Sequence, residues 1–303
     1  MNPVKPFLEW ALLRADPPWR TRGRIRGKAL ILAYHNIVPD GSTDWADPAL
    51  HLPQSRFASQ LDLLARSCEV VPLGEILAGK RSDGRPLVAI TFDDAYRGAV
   101  RLGAPLLVDR RLPATYFVAP GRLGGQSFWW DAIRGRDGIP LDANAREHIL
   151  TTLQGKEERA RTWAQSDGTQ GDVPAEGRTA SEQDMDWLAN LAGIDLGSHS
   201  WSHPNLATLS SEELGRELRA PAEWVASRAG RAPAVIAYPY GKSSAAVHDA
   251  ARKAGYVAGL EISGGWLGTN DPMCLPRLNV PGGLSMKGFA LRLKGLLAGE
   301  RPS

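Results

Sequence analysis

The chain has 303 residues, of which 43% are hydrophobic, and its formal net charge is +3. This length suits one large α/β barrel or two ordinary domains, and the charge is too small to indicate a nucleic-acid-binding protein. No run of eighteen apolar residues and only two cysteines are present, so we expect neither a membrane-spanning helix nor a disulfide framework.

The first 28 residues are predicted to form an N-terminal arm outside the folded domain. A short apolar stretch, Phe7 to Leu13, precedes a segment with six basic residues between Arg14 and Lys28. An aromatic and basic arm of this kind either rests on an anionic membrane surface or stays solvated and partly disordered. The apolar stretch is too short for a secretory signal and the basic residues follow it, so we expect a cytoplasmic protein.

The rest of the chain, residues 29–303, alternates short apolar strands with helical patterns. The strands are rich in Val, Ile and Leu without polar alternation, which is typical of a parallel sheet buried on both faces. We predict them at Ala29–Tyr34, Val70–Pro72, Leu87–Phe92, Ala114–Val118, Ile194–Leu196, Val235–Tyr238 and Tyr256–Ala258. The predicted helices are Gln54–Arg66, Arg97–Arg110, Ser181–Leu191, Ser211–Arg228 and Ser244–Ala254.

Two further patterns concern the organisation of the fold. Ser181 with Asp184 and Ser210 with Glu213 are capping-box patterns that favour helix starts. The polar, Gly-rich segment of about residues 134–180 fits the strand–helix repeat poorly, and we predict an insertion in a single domain. The repeat itself predicts a parallel, barrel-like α/β fold whose functional residues gather at the C-terminal ends of the strands.

Two adjacent carboxylates follow one of these strands. Asp93 and Asp94 come directly after Leu87–Phe92, where a parallel barrel places its functional residues. Paired acids at such a position are costly unless a cation or a proton lies between them. Taken alone, the pair would fit a surface turn or a helix cap equally well.

A pair of histidines follows the predicted strand Ile194–Leu196. His199 and His203 lie four residues apart, and Pro204 disfavours helical dihedrals at His203, so we predict a loop that can direct both imidazoles at one cation. In a chain with six histidines such a pair can arise by chance. Its position at a strand end favours a functional role. Two histidines and a carboxylate suit zinc or another divalent first-row metal, with positions left open for water and substrate.

A third turn follows another apolar strand. Tyr238, Pro239, Tyr240 and Gly241 stand at the end of this strand, and a proline followed two residues later by glycine forms a rigid turn. Such a turn can present a backbone N–H to a developing oxyanion. It can equally be an ordinary connection between a strand and a helix.

In this order and at these distances, the three segments closely resemble the polysaccharide deacetylase family, also called the NodB-homology or carbohydrate esterase family 4. The resemblance covers roughly residues 29–280 and includes Leu112–Phe117, which is similar to the family's G-x-P-A-T-F-F strand, and Phe128–Asp131 after it. Residues Ile31–Asn36 resemble the Tyr-His opening of the branch associated with bacterial exopolysaccharide synthesis. The resemblance implies a distorted (β/α)7 barrel and a hydrolase of acetamides on amino sugars, or less often of acetyl esters.

The resemblance also implies a role for each residue of the site. Asp94, His199 and His203 match the family's metal ligands, with Zn²⁺ as the expected ion and Co²⁺, Mn²⁺ or Ni²⁺ as alternatives. Asp93 matches the general base that takes a proton from the attacking water, and the backbone N–H of Tyr240 is expected to hold the tetrahedral oxyanion. These roles agree with the chemistry of a divalent metal beside a carboxylate.

The general acid departs from the family's common pattern. Many members supply a late histidine in a Leu-x-His motif, whereas no histidine follows His248 here. His35, just after the first strand, is our candidate because the exopolysaccharide branch has a histidine there; a structural histidine is the alternative. The arginine that usually precedes the Pro-Pro-Tyr-Gly turn is also missing, so Arg277 is the candidate for orienting Asp93, unless it forms a surface ion pair. Ala95 stands where glycine usually follows the acids.

The remaining aromatic and histidine residues carry weaker expectations. Three tryptophans are candidates for lining a substrate groove, with packing as the alternative: Trp130, Trp201 and Trp266. Three other histidines lie in polar surroundings and are predicted to face solvent: His51, His148 and His248.

The sequence therefore predicts a metal-dependent N-deacetylase acting on N-acetylglucosamine or a similar residue of a polysaccharide or its lipid-linked precursor. A cytoplasmic location favours the precursor, and the basic arm would suit peripheral contact at the inner membrane face. Two alternatives stay open. One is a deacylase or deformylase of a small amide or of a nucleotide- or lipid-linked sugar on the same fold. The other is a metal-bearing, glycan-binding pseudoenzyme.

Overall fold

The computed structural model describes residues 28–293, except 43, 44, 46, 48, 83, 136–140, 269 and 270. The predicted arm lies outside the described residues apart from Lys28. The described strands are β1 (Ala29–Tyr34), β2 (Asn36–Val38), β3 (His51–Pro53), β4 (Glu69–Val70), β5 (Leu87–Phe92), β6 (Ala114–Val118), β7 (Ile133–Arg134), β8 (Thr169–Gln170), β9 (Ile194–Ser198), β10 (Val235–Ala237), β11 (Ala258–Glu261), β12 (Leu275–Pro276) and β13 (Leu278–Asn279).

One parallel sheet forms the centre of the protein. Its strands run in the order β12-β11-β10-β9-β6-β5-β1-β13. The short strand β4 pairs with the first residues of β5, and β6 pairs with the later residues on the same side of β5. β1 and β5 are in register along their whole length, with Ala29 opposite Leu87 and Tyr34 opposite Phe92. Because all these pairs are parallel, the C-terminal ends of the strands lie at one end of the barrel.

The two outer strands of this sheet are neighbours in the chain. β12 ends at Pro276 and β13 begins at Leu278, so a single residue, Arg277, separates them. The eight strands of the path nearly close on themselves, with helices around them, which is the distorted parallel barrel that the sequence predicts. The predicted fold class is confirmed.

Alternate residues of the strands fill the barrel. A buried cluster contains inward residues from several strands, among them Ile31, Ala89, Phe117, Ala237, Leu260 and Leu275. The residues between them pack on the outside of the sheet, against the helices. The ring of Phe117 fits against Gly197 only because glycine has no side chain, since a Cβ at position 197 would lie 2.4 Å from that ring. The interior of the barrel is thus a packed core.

Helices cover the outside of the sheet. The described α-helices are Gln54–Ser67, Leu73–Leu77, Ala104–Asp109, Trp129–Ala132, Ala143–Thr151, Glu157–Asp167, Glu182–Ala189, Ser211–Ala229, Ala245–Lys253 and Met286–Leu293. A π-helical turn, Ala99–Gly103, precedes the third of them, so the helix predicted at Arg97–Arg110 is not uniform. Both predicted capping boxes are present, at Ser181 and at Ser210. No helix in the described part of the chain is both long and apolar enough to cross a membrane.

The segment predicted as an insertion packs beside the open end of the barrel. It contains two helices and one strand of the short antiparallel pair β7–β8. Glu157, at the start of one helix, accepts a hydrogen bond from the backbone N–H of Trp129 at 3.1 Å. The segment is therefore tied to the helical turn Trp129–Ala132, while its status as an insertion within one domain stays a prediction.

Three strand predictions match to the residue, and two others are displaced. The strand predicted at Val70–Pro72 lies at Glu69–Val70, and the one predicted at Tyr256–Ala258 lies at Ala258–Glu261. The second shift has a clear cause. The side chain of Tyr256 is buried and its hydroxyl donates to the carbonyl of Leu218 at 2.8 Å, so this residue belongs to the turn before the strand.

Candidate active site

The two carboxylates after β5 point in different directions. Thr91 and Asp93 continue the inward alternation of β5, and the backbone N–H of Asp93 donates to the carbonyl of Tyr34 at 3.0 Å. Asp94 leaves the strand with a φ of 71°, and Ala95 follows with a φ of 50°. Asp93 thus lies over the barrel interior, and Asp94 turns toward the histidine loop after β9.

The loop after β9 directs both histidines at Asp94. The backbone N–H of His199 donates to the carbonyl of Val118, and His199 Nδ1 lies 2.7 Å from the carbonyl oxygen of Ala237. Because a carbonyl only accepts, Nδ1 carries the hydrogen and Nε2 presents a lone pair. His203 approaches from the other end of the loop, and both imidazoles are buried.

Three ligand atoms converge at this point. The Nε2 atoms of His199 and His203 are 3.1 Å apart, and Asp94 Oδ1 lies 3.4 Å from the first and 3.1 Å from the second. Asp94 Oδ1 is buried without a hydrogen-bond partner. Electron-rich atoms this close and this buried are costly unless a cation or a proton lies among them. This donor set suits Zn²⁺ or another divalent first-row ion, so the residues fit a metal site.

Burial and charge set the protonation of this group. Burial acts to raise the pKa of Asp94, but the charge of His203 and the contacts of both histidines outweigh it and hold this pKa far below its usual value. Burial lowers the pKa of His203 despite the opposing charge of Asp94. Burial also acts to lower the pKa of His199, but Asp93 and Asp94 overcome it and raise this pKa. Metal binding requires an ionised Asp94 and two neutral imidazoles, so the proton that the raised pKa of His199 favours has to leave when an ion binds.

Arg277 holds Asp93 in one orientation. Its Nη1 and Nη2 atoms donate to the two carboxylate oxygens at 2.7 and 2.6 Å, and Nη1 also donates to Thr91 Oγ1 at 3.1 Å. The guanidinium is fully buried and lies 5.5 Å above the ring of Phe117. Burial acts to raise the pKa of Asp93, but the charges of Arg277 and His199 keep it below its usual value. Asp93 is thus an ionised, oriented acceptor, as a general base must be.

His35 lies in the same site, directly after β1. Its imidazole is close enough to Asp94, Asp93, Arg277 and His199 for their charges to act on it. Burial lowers the pKa of His35, and the two carboxylates oppose this without cancelling it. Its Nδ1 atom is buried without a hydrogen-bond partner.

The turn after β10 packs against His203. Tyr240 has φ 59° and ψ 9°, and its ring centroid lies 4.7 Å from that of His203. Its hydroxyl accepts from Trp129 Nε1 and donates to the carbonyl of Gly155, both at 3.1 Å. Burial raises the pKa of Tyr240 well above its usual value, so this hydroxyl stays protonated. The backbone N–H predicted to hold an oxyanion therefore belongs to a fixed turn.

Backbone strain is concentrated around these side chains. Seven non-glycine residues in the described ranges have positive φ, and five of them surround the site: Asp94, Ala95, Ser200, His203 and Tyr240. A residue held in a sparsely populated backbone region costs about 1–3 kcal/mol and persists only where its surroundings enforce it. Such residues cluster at functional sites.

This combination of barrel, acids and histidine loop corresponds to a known protein family. A family model for polysaccharide deacetylases matches residues 80–259. The chain belongs to the polysaccharide deacetylase family. The matched range includes the Asp93-Asp94 pair, the His199–His203 loop and Tyr240 but neither His35 nor Arg277, which lie in the first and last parts of the barrel.

Solved structures show that the fold of this polysaccharide deacetylase family member extends over most of the chain. The deacetylase PplD of Streptococcus pyogenes, in complex with acetate, is 17% identical, with a TM-score of 0.64 over 88% of this chain and 98% of that one. IcaB from Ammonifex degensii is 17% identical, with a TM-score of 0.61 over 89% and 97%. A de-N-acetylase from Aggregatibacter actinomycetemcomitans is 15% identical, with a TM-score of 0.63 over 88% and 99%. At these identities the likeness shows a shared fold.

The three candidate groove tryptophans of this family member differ in exposure. Trp201 is 38% exposed, and its indole rests on Gly121, where a Cβ would lie 2.7 Å from the indole nitrogen. Trp130 is buried and its ring centroid lies 5.1 Å from that of His203, so it forms a wall of the site. Trp266 is partly buried and packs against the core outside the barrel. Of the three, Trp201 offers the open aromatic surface.

His51 is buried, so the prediction that it faces solvent is wrong. Its Nε2 lies 2.9 Å from Asp131 Oδ1, and its Nδ1 lies 3.0 Å from Asn36 Nδ2. Because an amide nitrogen only donates, Nδ1 accepts and Nε2 carries the hydrogen that Asp131 accepts. Tyr96 donates to the other Asp131 oxygen at 2.6 Å and accepts from Trp130 Nε1 at 2.8 Å. This buried network supports the wall of the site, and sequence reasoning missed it.

The reason for this error is a long-range strand pairing. β3, which begins with His51, pairs with β2, which begins with Asn36, and this places the imidazole inside the protein. The resemblance of Phe128–Asp131 to the family is the one feature of the sequence that points to a role for Asp131 near the site. His148 is exposed as predicted, whereas His248 is half-buried because its Nε2 contacts Ser243 Oγ at 2.8 Å.

Proposed function

We propose that this protein is a metal-dependent hydrolase that removes N-acetyl groups from amino sugars of a polysaccharide or of its lipid-linked precursor. Membership of the polysaccharide deacetylase family supports the deacetylase activity. The observation that carries the metal-dependent reaction is the pair of adjacent acids with separate partners. Asp93 is held by Arg277, and Asp94 converges with the two histidines.

The proposed reaction is the hydrolysis of an acetamide to acetate and a free amine. A divalent ion held by Asp94, His199 and His203 would polarise the acetyl carbonyl and acidify the attacking water. Asp93 accepts a proton from this water, and the bidentate contact with Arg277 fixes the direction of its oxygens. The backbone N–H of Tyr240 donates to the oxygen on which negative charge develops.

The departing nitrogen needs a proton before the C–N bond breaks. We propose His35 as its donor, which is supported by its position in the site beside the charges of Asp93 and Asp94. A general acid must be protonated, so activity should fall as pH rises through the pKa of this residue, which burial lowers. If His35→Ala leaves the alkaline limb of the pH–rate profile unchanged, His35 is not the acid.

The substrate class is proposed as a glycan or a lipid-linked sugar. The exposed indole of Trp201 supports a sugar, because aromatic faces stack on the apolar faces of sugar rings. We further propose a cytoplasmic location with peripheral contact at the inner membrane face. The basic composition of residues 14–28 supports contact with anionic lipids or with a lipid diphosphate.

Acetate release from a substrate panel tests this proposal. Purified protein loaded with Zn²⁺ is given chito-oligosaccharides, an N-acetylated nucleotide sugar, a lipid-linked N-acetylated sugar and a small cyclic amide, with Asp93→Asn as the matched inactive control. We expect release from the oligosaccharides or the lipid-linked sugar. Turnover confined to the nucleotide sugar or the cyclic amide would favour the small-substrate alternative. Metal and glycan binding with no release from any compound would indicate a pseudoenzyme.

A further inference from the structure

One carboxylate from a neighbouring helix holds the loop between the two histidines. Glu217 lies in the helix Ser211–Ala229 and is half-buried. Its Oε2 atom accepts the backbone N–H groups of Trp201 and Ser202, both at 2.9 Å. Its Oε1 atom accepts the hydroxyl of Ser202 at 2.6 Å. Glu217 therefore fixes both the backbone and a side chain at the middle of the loop.

This loop needs an external support because its own backbone is strained. Ser200 and His203, on either side of Trp201 and Ser202, have φ values of 62° and 63°. Such left-handed dihedrals are unfavourable for side chains with a Cβ, and a free loop would relax away from them. The hydrogen bonds of Glu217 are charge-assisted and so stronger than neutral ones. They hold the two residues that lie between the strained positions.

The two histidines depend on this support to different degrees. The imidazole of His199 is oriented by its own hydrogen bond, from Nδ1 to the carbonyl of Ala237. His203 Nδ1 is buried without a hydrogen-bond partner. Metal-binding histidines are usually oriented through their second ring nitrogen. The imidazole of His203 is instead oriented by the backbone of the loop and by its packing against the rings of Trp130 and Tyr240.

We propose that Glu217 is a positioning residue that sets the separation of the His199 and His203 Nε2 atoms to the distance one metal ion requires. This inference rests on the proposed metal site and deepens it. Glu217 touches neither histidine ring. It acts through the backbone of Trp201 and Ser202 and through the hydroxyl of Ser202.

The geometric role can be separated from the charge of Glu217. In Glu217→Gln the amide oxygen can still accept both backbone N–H groups, and the amide NH2 can donate to the hydroxyl of Ser202, which turns to accept. In Glu217→Ala all three contacts are lost. Glu217→Asp keeps the charge on a side chain shorter by one methylene, which no longer reaches the loop from its helix.

The test is the affinity of the metal-free protein for Zn²⁺, measured by competition with a chromophoric chelator. We expect Glu217→Ala and Glu217→Asp to weaken binding about 10-fold to 100-fold, the range typical for residues that support metal ligands. Glu217→Gln, which keeps the contacts without the charge, should bind Zn²⁺ more tightly than Glu217→Ala and nearer to the wild-type value. Glu212→Ala is the control, since Glu212 lies on the same helix and pairs with Arg216 at the surface. Urea unfolding without metal verifies that each variant is folded.

The outcomes separate the two proposals. Wild-type affinity in folded Glu217→Ala or Glu217→Asp would overturn the role of Glu217, and so would a Glu217→Gln variant as weak as Glu217→Ala. A wild-type protein that binds no Zn²⁺ would overturn both the metal site and this inference. Zn²⁺ binding without acetate release from any substrate would overturn the proposed function alone, because affinity is measured without turnover.

Discussion

Asp93 and Asp94 are adjacent in the chain, yet their carboxylates contact different partners and so have different chemical properties. Asp93 faces a guanidinium that matches both of its oxygens, so its charge is balanced within the protein. Asp94 faces two imidazoles, and one of its oxygens lacks a hydrogen-bond donor. The first carboxylate is therefore suited to accept a proton and the second to bind a cation. Substitutions should separate the two tasks.

Replacing Asp93 by Asn should leave metal binding intact and remove turnover. The amide oxygen can still accept a hydrogen bond from Arg277, but it cannot take a proton from water, and a general base contributes about 10²–10⁴-fold to a rate. Metal content by atomic spectroscopy and acetate release measure the two effects. His199→Ala is the counterpart that should lose the metal. An Asp93→Asn protein with normal turnover would show that Asp93 is not the base.

Replacing Arg277 by Lys should move the acidic limb of the pH–rate profile to higher pH. A base must be ionised, so activity falls as pH decreases through the pKa of Asp93, which Arg277 holds down. Lysine keeps a charge but loses the bidentate contact, so this pKa rises. The measurement is kcat/KM against pH for both proteins. An unmoved acidic limb would contradict this account.

At the scale of single elements, the capping box of helix Ser211–Ala229 connects two parts of the structure. Glu213 accepts the backbone N–H of Ser210 at 2.9 Å and its hydroxyl at 2.8 Å. Lys156, from the segment between β7 and β8, donates to the other oxygen of Glu213 at 2.8 Å. The hydrogen bond from Lys156 and those from Ser210 lower the pKa of Glu213 to about 2.

This capping box should make part of the stability depend on pH. The pKa of Glu213 is depressed in the folded state, so its contribution is present above the ordinary value of 4.5 and is lost as pH falls toward about 2. Glu213→Gln should lower the thermal unfolding midpoint near pH 6, and the difference from wild type should narrow across this window. Glu212→Gln on the same helix is the control. A difference that does not change with pH would exclude this linkage.

Local patterns explain which elements and site residues the sequence predicts. β1, β5 and β6 are buried apolar runs. Asp93, Asp94 and His199 stand directly after strands, and His203 follows in the loop after β9. The pairing of His51 with Asp131 and the contact of Glu217 with the histidine loop leave no such pattern. Each joins residues far apart in the chain, and only the packing of β3 or of helix Ser211–Ala229 brings them together.

For the molecule as a whole, Arg277 connects the site to the barrel. It is the single residue between the two outer strands of the sheet, and its guanidinium is fully buried against Asp93. Breaking a buried ion pair by removing one partner is strongly destabilising, because a charge is left without compensation. Replacing both partners avoids this cost.

Arg277→Met should therefore destabilise the protein by about 3–5 kcal/mol, and Asp93→Asn combined with Arg277→Met should destabilise it less than Arg277→Met alone. Urea unfolding of the metal-free proteins measures both, together with Asp93→Asn as the second single variant. If the effects of the two single substitutions simply add in the double variant, the pair contributes no coupling and the proposed compensation is wrong.

The position of Arg277 near the end of the chain also bears on the order in which the protein is made. During synthesis the N-terminal strands and Asp93 emerge first, and β1 then lacks the neighbour that β13 later provides. The three metal-ligand candidates are complete once His203 has been added, but the partner of Asp93 is not. Arg277 orients Asp93, and β13, which completes the sheet beside β1, begins with the next residue. A nascent or truncated chain that stops before Arg277 therefore lacks both the last strand of the barrel and the ion-pair partner of Asp93.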